Sequence, residues 1–368
     1  MSFYDEIIEY RDTNFHSYFE SLSDEKISGI LQKNRIDYMD FLALLSPVAQ
    51  KHIENMAQKS HEITIRQFGR TIALYTPLYL SNYCNNQCVY CGFNQKNKID
   101  RNQLSLEEVE AEAKEIAKLG LKHILVLTGD APGIATMDYL EDCCKILSKY
   151  FTSTSIEIFA LTKDEYTRLI NAGVDSLTIY QETYNESLYK ELHLKGPKTD
   201  YRFRLDAPER ACSAFMRTVN VGALLGLDDW RKEVFLTGMH ADYLQKNYPE
   251  TEISVSLPRL RPHVGQFQPP YIVNDIDIVQ IITALRIFMP RAGITISTRE
   301  TAQFRDNILP LGVTKMSAAS CTSVGGRTAD KENTGQFEIS DERSVPEMVS
   351  MLEAAGWQPV YKDWQPIF

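Results

Sequence analysis

From Thr71 to about Gly325 the chain alternates short apolar runs suited to buried strands with stretches of helical periodicity, and this alternation restricts its folds most. The runs are TIALYTPLYL (71–80), HILVLTG (123–129), SIEIFAL (155–161), SLTIYQ (176–181), RTVNVGALLG (217–226), EISVSLP (252–258), GITISTR (293–299) and GVTKMSA (312–318). Strand, helix, strand, helix implies parallel pairing, because each helix carries the chain back in a right-handed crossover. Helix starts are marked between the runs. Ser105 with Glu108, Thr162 with Glu165 and Thr183 with Glu186 have capping-box spacing, and Gly120 and Gly173 supply stops. Eight such units over about 250 residues predict an α/β chain folded as a (β/α)₈ barrel of the TIM type. A doubly wound open sheet is the alternative, but its G-x-G-x-x-G after the first strand is absent.

The flanks read differently. Residues 1–70 are predicted as a helical N-terminal extension, with Asp24–Gln32 and Tyr38–Leu45 at helical spacing and Pro47 opening a further helix. Residues 71–325 form the predicted barrel, and 326–368 a C-terminal tail. The tail reads as a helix over Val345–Ala355, stopped at Gly356, then an irregular aromatic end in which Trp357, Tyr361, Trp364 and Phe368 dock on the barrel. No run of about 18 apolar residues predicts a membrane span, and the acidic N-terminus lacks a signal-peptide pattern. A net charge of −10 without a basic block argues against nucleic acid. The expected compartment is the cytoplasm, where an odd count of seven cysteines predicts no disulfide framework. Cys143, Cys144, Cys212 and Cys321 are expected as small apolar fillers.

The other three cysteines crowd the loop after the first strand: Ser81-Asn-Tyr-Cys84-Asn-Asn-Gln-Cys88-Val-Tyr-Cys91-Gly-Phe93. In a barrel this loop lies on the C-terminal face, where active sites form. Three thiolates at C-x₃-C-x₂-C can reach three corners of a [4Fe–4S] cube and leave the fourth iron open. A closed electron-transfer cluster would bring a fourth cysteine nearby, and none lies between Cys91 and Cys143. Structural zinc would need a distant fourth ligand. Three unrelated cysteines on one short loop is the remaining reading.

C-x₃-C-x₂-C, with aromatic Tyr90 before the third cysteine, resembles the signature of the radical S-adenosylmethionine superfamily. The resemblance implies that Cys84, Cys88 and Cys91 ligate the cluster, while S-adenosylmethionine chelates the open iron and yields a hydrogen-abstracting 5′-deoxyadenosyl radical. It also implies cofactor contacts at Tyr90, at Gly129 and Asp130 after the second strand, at Glu182 after the fourth, at Arg204, and at Gly222 and Leu224 in the fifth. The superfamily often has Gly-Gly-Glu after the second strand, and here the first glycine is Thr128.

TPLYLSNYCNNQCVYCGF, YQETY (180–184), HLKG (193–196), SVSLPRLRP (254–262), STRE (297–300) and VYKDW (360–364) narrow the likeness to the tyrosine lyases of bacterial thiamine biosynthesis. That family implies cleavage of the Cα–Cβ bond of L-tyrosine to 4-cresol and 2-iminoacetate. Its implied partners are thiazole synthase and a flavodoxin- or ferredoxin-type electron donor. Candidate substrate ligands are Arg259, Arg261, Arg299, Ser317 and Ser320, because arginines with nearby hydroxyls clamp carboxylates. A rim salt bridge is the other reading of each arginine, and Glu300 stands beside Arg299. The related tyrosine lyase of [FeFe]-hydrogenase maturation carries a second cysteine motif in a C-terminal extension. After Cys321 no C-x₂-C follows here, which favours the thiamine branch. Biotin synthase needs further barrel cysteines, a pattern that the isolated ones do not match. A non-enzymatic iron–sulfur carrier or metal-binding protein is the alternative class.

Overall fold

A computed structural model describes residues 2–11, 13–328 and 335–362. Eight parallel strands close a barrel: β1 (Thr71–Ser81), β2 (His123–Thr128), β3 (Ser153–Glu157), β4 (Ser176–Glu182), β5 (Thr218–Ala223), β6 (Glu252–Val255), β7 (Gly293–Ile296) and β8 (Lys315–Ser317). They pair in chain order, and β8 returns to β1, which also pairs β2. Between them run helices that include Leu106–Lys118, Met137–Leu147, Lys163–Asn171, Ala207–Ser213, Trp230–Asn247, Asp275–Phe288 and Ala302–Asn307. The apolar core lies mainly between strands and helices. The barrel interior is polar, with Tyr75, His123, Ser155, Ser176, Thr178, Asn220, Ser254, Thr295 and Lys315 around a small internal cavity.

The boxes at Ser105 and Thr162 form as the spacing predicts, each hydroxyl accepting from the amide three residues on. The third expected box does not form. Thr183 donates instead to the buried Glu233 carboxylate, and Asn185 caps the helix Glu186–Leu192. The third strand also begins earlier than its apolar run suggests. Polar Ser153 and Thr154 join the ladder opposite His123 and Ile124, whereas Ile158 and Phe159 leave it to line a cavity.

Among the described residues six helices precede β1: Phe3–Arg11, Phe15–Glu20, Asp24–Gln32, Tyr38–Leu44, Pro47–Gln50 and Ile53–Phe68. They pack on outer helices of the barrel. Phe3 stacks on His240 at 4.1 Å and Phe41 on Phe288 at 4.4 Å between ring centroids. Ser60 donates to the Leu311 carbonyl at 2.5 Å.

The tail holds a helix, Val345–Ala354, and then a strand where an irregular end was expected: β9 (Gln358–Val360) pairs in parallel with Thr71–Ala73. The cause lies in β1, whose ladder with β2 begins only at Thr76 and leaves backbone groups to be satisfied below it. Trp357 is buried and Tyr361 packs partly on the core. Trp364 and Phe368 lie outside the described residues. Cys143, Cys144 and Cys212 are buried free thiols and Cys321 is half-buried.

Candidate active site

The cysteine loop leaves the top of β1 and is held from two sides. The Arg101 guanidinium donates to the carbonyls of Asn82, Phe93 and Asn94 at 2.6, 2.9 and 2.7 Å. On the other side Leu192 and the HLKG segment that follows it take up loop amides: Gln87 donates to the Lys195 carbonyl and Val89 to the Leu192 carbonyl. His193 supports Tyr90. Its Nδ1 donates to the Tyr189 carbonyl, so Nε2 is the acceptor for the Tyr90 hydroxyl at 2.6 Å. Burial, with Lys198 nearby, pushes His193 down to about 3, so the ring stays neutral.

Cys84, Cys88 and Cys91 line one cavity at the C-terminal end of the barrel. Cys88 packs with Tyr90, Leu192, Leu224 and Leu227, so it is buried and does not stand on an exposed loop. Burial pushes its thiol up to about 12 and raises Cys84 as well, where backbone donors from Asn86 and Asp130 oppose the rise. Gln336 donates toward the Cys91 sulfur at 3.9 Å.

Next to the cysteines the cavity wall carries Thr128, Gly129 and Asp130 from the end of β2, Tyr180 and Glu182 from β4, and Lys198, Arg204 and Leu224. Gly129 has no room for a side chain: a Cβ would lie 2.2 Å from the Tyr83 carbonyl oxygen, so this residue lets the β2 turn meet the cysteine loop. A bulge between Tyr180 and Glu182 re-aims the end of β4 and leaves Glu182 at φ 71°, a strained conformation for a non-glycine residue. Glu182 accepts from Lys198 and from Arg204, and Arg204 also donates to the Tyr180 carbonyl at 2.7 Å. Burial pushes the Glu182 carboxyl up, but the two cations outweigh it and hold the group below its ordinary value. Gly222 does not line the cavity; it lets the chain after β6 cross β5, as a Cβ there would lie 1.8 Å from the Ser256 carbonyl oxygen.

The far side of the cavity is lined by Glu157, Phe159, Thr178, Arg261, His263, Arg299, Gln336 and Phe337. Arg299 stacks on Phe337 at 3.5 Å, and among the described residues its guanidinium meets no carboxylate. Arg261 donates to Ser340, and its buried Nε has no partner among the described residues. Arg259 lies elsewhere, forked onto Glu300 and bonded to Asp275 at 2.8 Å. Ser317 is buried away from the cavity, accepting from the Thr298 amide at 3.0 Å, and Ser320 has a buried hydroxyl without a partner among the described residues. Sequence reasoning missed Lys198, Glu157, Gln336 and Phe337. Glu157 had a usable signal, a lone acid inside the apolar run SIEIFAL. The others had none, since no motif marks them.

A profile of the radical SAM superfamily matches residues 78–237, and one of the biotin and thiamin synthesis associated domain matches residues 256–358. The chain is 39% identical over 326 residues to the 2-iminoacetate synthase of Salmonella typhimurium, which covers 88% of this chain and 86% of that protein. The chain belongs to the 2-iminoacetate synthase family. The Escherichia coli member is 38% identical over 339 residues, covering 92% of this chain and 90% of that one. Among solved structures, HydG, a maturase of the [FeFe]-hydrogenase, superposes with a TM-score of 0.91 at 31% identity, covering 96% of this chain and 80% of that chain. 2-Iminoacetate synthases work with a [4Fe–4S] cluster and S-adenosylmethionine, and the residues here fit both. Three thiols share one wall of the cavity. Around them Thr128, Asp130, Arg261 and His263 each keep a buried polar atom without a partner among the described residues, as expected where ligands complete the bonding.

Proposed function

We propose that this chain cleaves the Cα–Cβ bond of L-tyrosine to 2-iminoacetate and 4-cresol, and that the cavity described above is where it does so. One observation carries the assignment of the site: the three cysteines and an arginine without a carboxylate partner face the same cavity. When bound, the cluster and S-adenosylmethionine supply the radical that abstracts hydrogen. The protein's share is to bind, orient and exclude water.

In this reading Cys84, Cys88 and Cys91 hold three irons. Tyr90, Gly129, Asp130, Glu182, Arg204, Leu224 and the backbone at Gly222 hold S-adenosylmethionine. Lys198 joins them by keeping Glu182 ionised. Arg299, with Arg261 beside it, receives the tyrosine carboxylate, because a guanidinium fork matches that group and Arg299 has no competing acid in contact. Phe159 and Phe337 give the phenol ring apolar walls. Arg259 is assigned to structure, since Glu300 and Asp275 already saturate it. Ser317 is likewise left out, because the Thr298 amide engages it.

The product imine supplies thiamine thiazole formation, with thiazole synthase as the consuming partner and a flavodoxin- or ferredoxin-type protein as the electron donor. The reading is cytoplasmic; no helix among the described residues is long and apolar enough to cross a membrane. Anaerobic reconstitution should load about four irons per chain. Incubation with S-adenosylmethionine, reductant and L-tyrosine should give 4-cresol and 5′-deoxyadenosine. Deoxyadenosine without a tyrosine-derived product would assign another substrate, and a reduced-cluster paramagnetic resonance spectrum unmoved by S-adenosylmethionine would favour an electron carrier.

A further inference from the structure

Glu157 ends β3 inside the cavity, and among the described residues no hydrogen bond or ion pair engages its carboxyl. The charged and titratable groups around it come from several elements: Tyr75 and Tyr79 on β1, Tyr180 and Glu182 on β4, Lys198 and Arg204 after β4, and Arg299 after β7. Lys198 and Arg204 are committed to Glu182. The tyrosines are neutral, because burial raises all three. Among the described residues Arg299 is therefore the uncommitted charge that faces Glu157. It is close enough to be the main influence opposing burial there, yet the two do not touch as an ion pair.

Two opposite charges held apart on the wall of a cavity, each half-buried, lose part of their hydration without gaining a partner. A zwitterionic head group repairs both at once, because its carboxylate and ammonium sit on one carbon. Resting on the reading that the substrate is L-tyrosine, we propose that Glu157 binds the substrate's α-ammonium group opposite Arg299 and accepts one proton from it. In that transfer one N–H bond breaks, an O–H bond forms on Glu157, and the electron pair stays on nitrogen. Nothing is oxidised. The product imine nitrogen is neutral, so this proton has to leave. Burial pushes the Glu157 carboxyl up to about 7, against Arg299, which suits an acceptor working near neutral pH. The phenol is the weaker candidate for this acid, because an uncharged group would leave Arg299 and Glu157 unmatched.

The test is anaerobic calorimetry on reconstituted protein with S-adenosylmethionine and no reductant, titrated with L-tyrosine, L-phenylalanine and 3-(4-hydroxyphenyl)propionate, which lacks the amine. Glu157→Gln should lose about tenfold to a hundredfold in L-tyrosine affinity, the usual range for a hydrogen bond to a charged group. Its affinity for the propionate should not change, so discrimination between the two disappears. The cluster spectrum and its response to S-adenosylmethionine should match wild type. The rise of wild-type kcat with pH through about 7 should flatten in the variant. If Glu157→Gln fails to fold, Glu157→Asp carries the measurement, with a smaller loss in the same direction. Unchanged tyrosine affinity overturns the proposal. So does an equal loss for L-tyrosine and the propionate with L-phenylalanine unaffected, which would give the acid to the phenol. Wild-type protein that turns over S-adenosylmethionine but binds no L-tyrosine overturns the tyrosine reading itself, a different result.

Discussion

Replacing Gly222 by alanine puts a methyl group where the neighbouring backbone already lies. The new Cβ would sit 1.8 Å from the Ser256 carbonyl oxygen and 2.9 Å from Tyr180 Cδ1. Real Cβ contacts essentially never fall under 3.0 Å, so the Ser256 carbonyl must retreat by about 1.2 Å. That movement stretches the bond from the Ser256 amide to the Val221 carbonyl, now 3.0 Å. One lost hydrogen bond costs about 1 kcal/mol, and forced repacking about 1–3 kcal/mol. Gly222→Ala should therefore destabilise by about 2–4 kcal/mol. Cofactor affinity should fall with it, because Ser256 leads directly to Pro258, Leu260 and Arg261 on the cavity wall. Gly29→Ala is the control. It lies inside the helix Asp24–Gln32 with nothing within 4 Å of a new Cβ, so alanine should stabilise by about 0.5–1 kcal/mol. Urea unfolding of both variants, beside wild type, reads the two signs. A Gly222→Ala protein within about 0.5 kcal/mol of wild type would refute the steric argument, since that is the range of a neutral surface change.

Other perturbations separate the site from its supports. Arg305 is fully buried and donates to Asp341 and to the Ser317 carbonyl. Arg343 still pairs with Asp341, so Arg305→Ala removes a buried donor and leaves a cavity, which should cost about 2–5 kcal/mol in thermal unfolding. Arg299→Lys should raise KM for tyrosine about tenfold or more, as a lost charged hydrogen bond does, whereas Arg259→Lys should lower stability and leave KM near wild type. Cys88→Ala should abolish cluster loading, read by iron content, while circular dichroism still reports a folded barrel. Burial pushes Glu233 up to about 8, against donors from Thr183 and Tyr184. The folded state thus holds that proton more tightly than the unfolded chain, so this contribution is full below the ordinary carboxylate value and is lost as pH rises through about 8. Unfolding midpoints should fall between about pH 5 and 8, and less so in Glu233→Gln.

The barrel was legible because short apolar runs suited to buried strands alternate with stretches of helical periodicity, and the chain does this eight times. The cysteine loop was legible because its chemistry is compressed into one short segment. What could not be read arises from pairing between distant residues. The Thr183 box failed because Glu233, some fifty residues on, takes the hydroxyl. β9 was missed because its signal is the unpaired lower half of β1, not anything in its own three residues. Among five candidate substrate ligands, position at a strand end could not separate Arg299 from Arg259. Only the Glu300 and Asp275 contacts do that.

The same contrast divides the cavity. Its cysteine side is fixed locally: Arg101 bonds the loop from seven to nineteen residues away in sequence, and the HLKG backbone closes its other side. The far side is assembled from Glu157, Arg299 and Phe337, which no single segment contains. Phe337 reaches the wall because the tail is anchored beyond it, where Asp341 meets the buried Arg305 and Ser340 meets Arg261. A change in substrate preference could then act through β3, β7 and the tail while the cysteine loop keeps its clamps. That separation has a consequence for Arg305→Ala. Loosening the tail removes one wall of the far side before it disturbs the thiols, so tyrosine affinity should fall at temperatures where the cluster is still loaded. Simultaneous loss of both would mean that the two halves of the cavity are one cooperative unit.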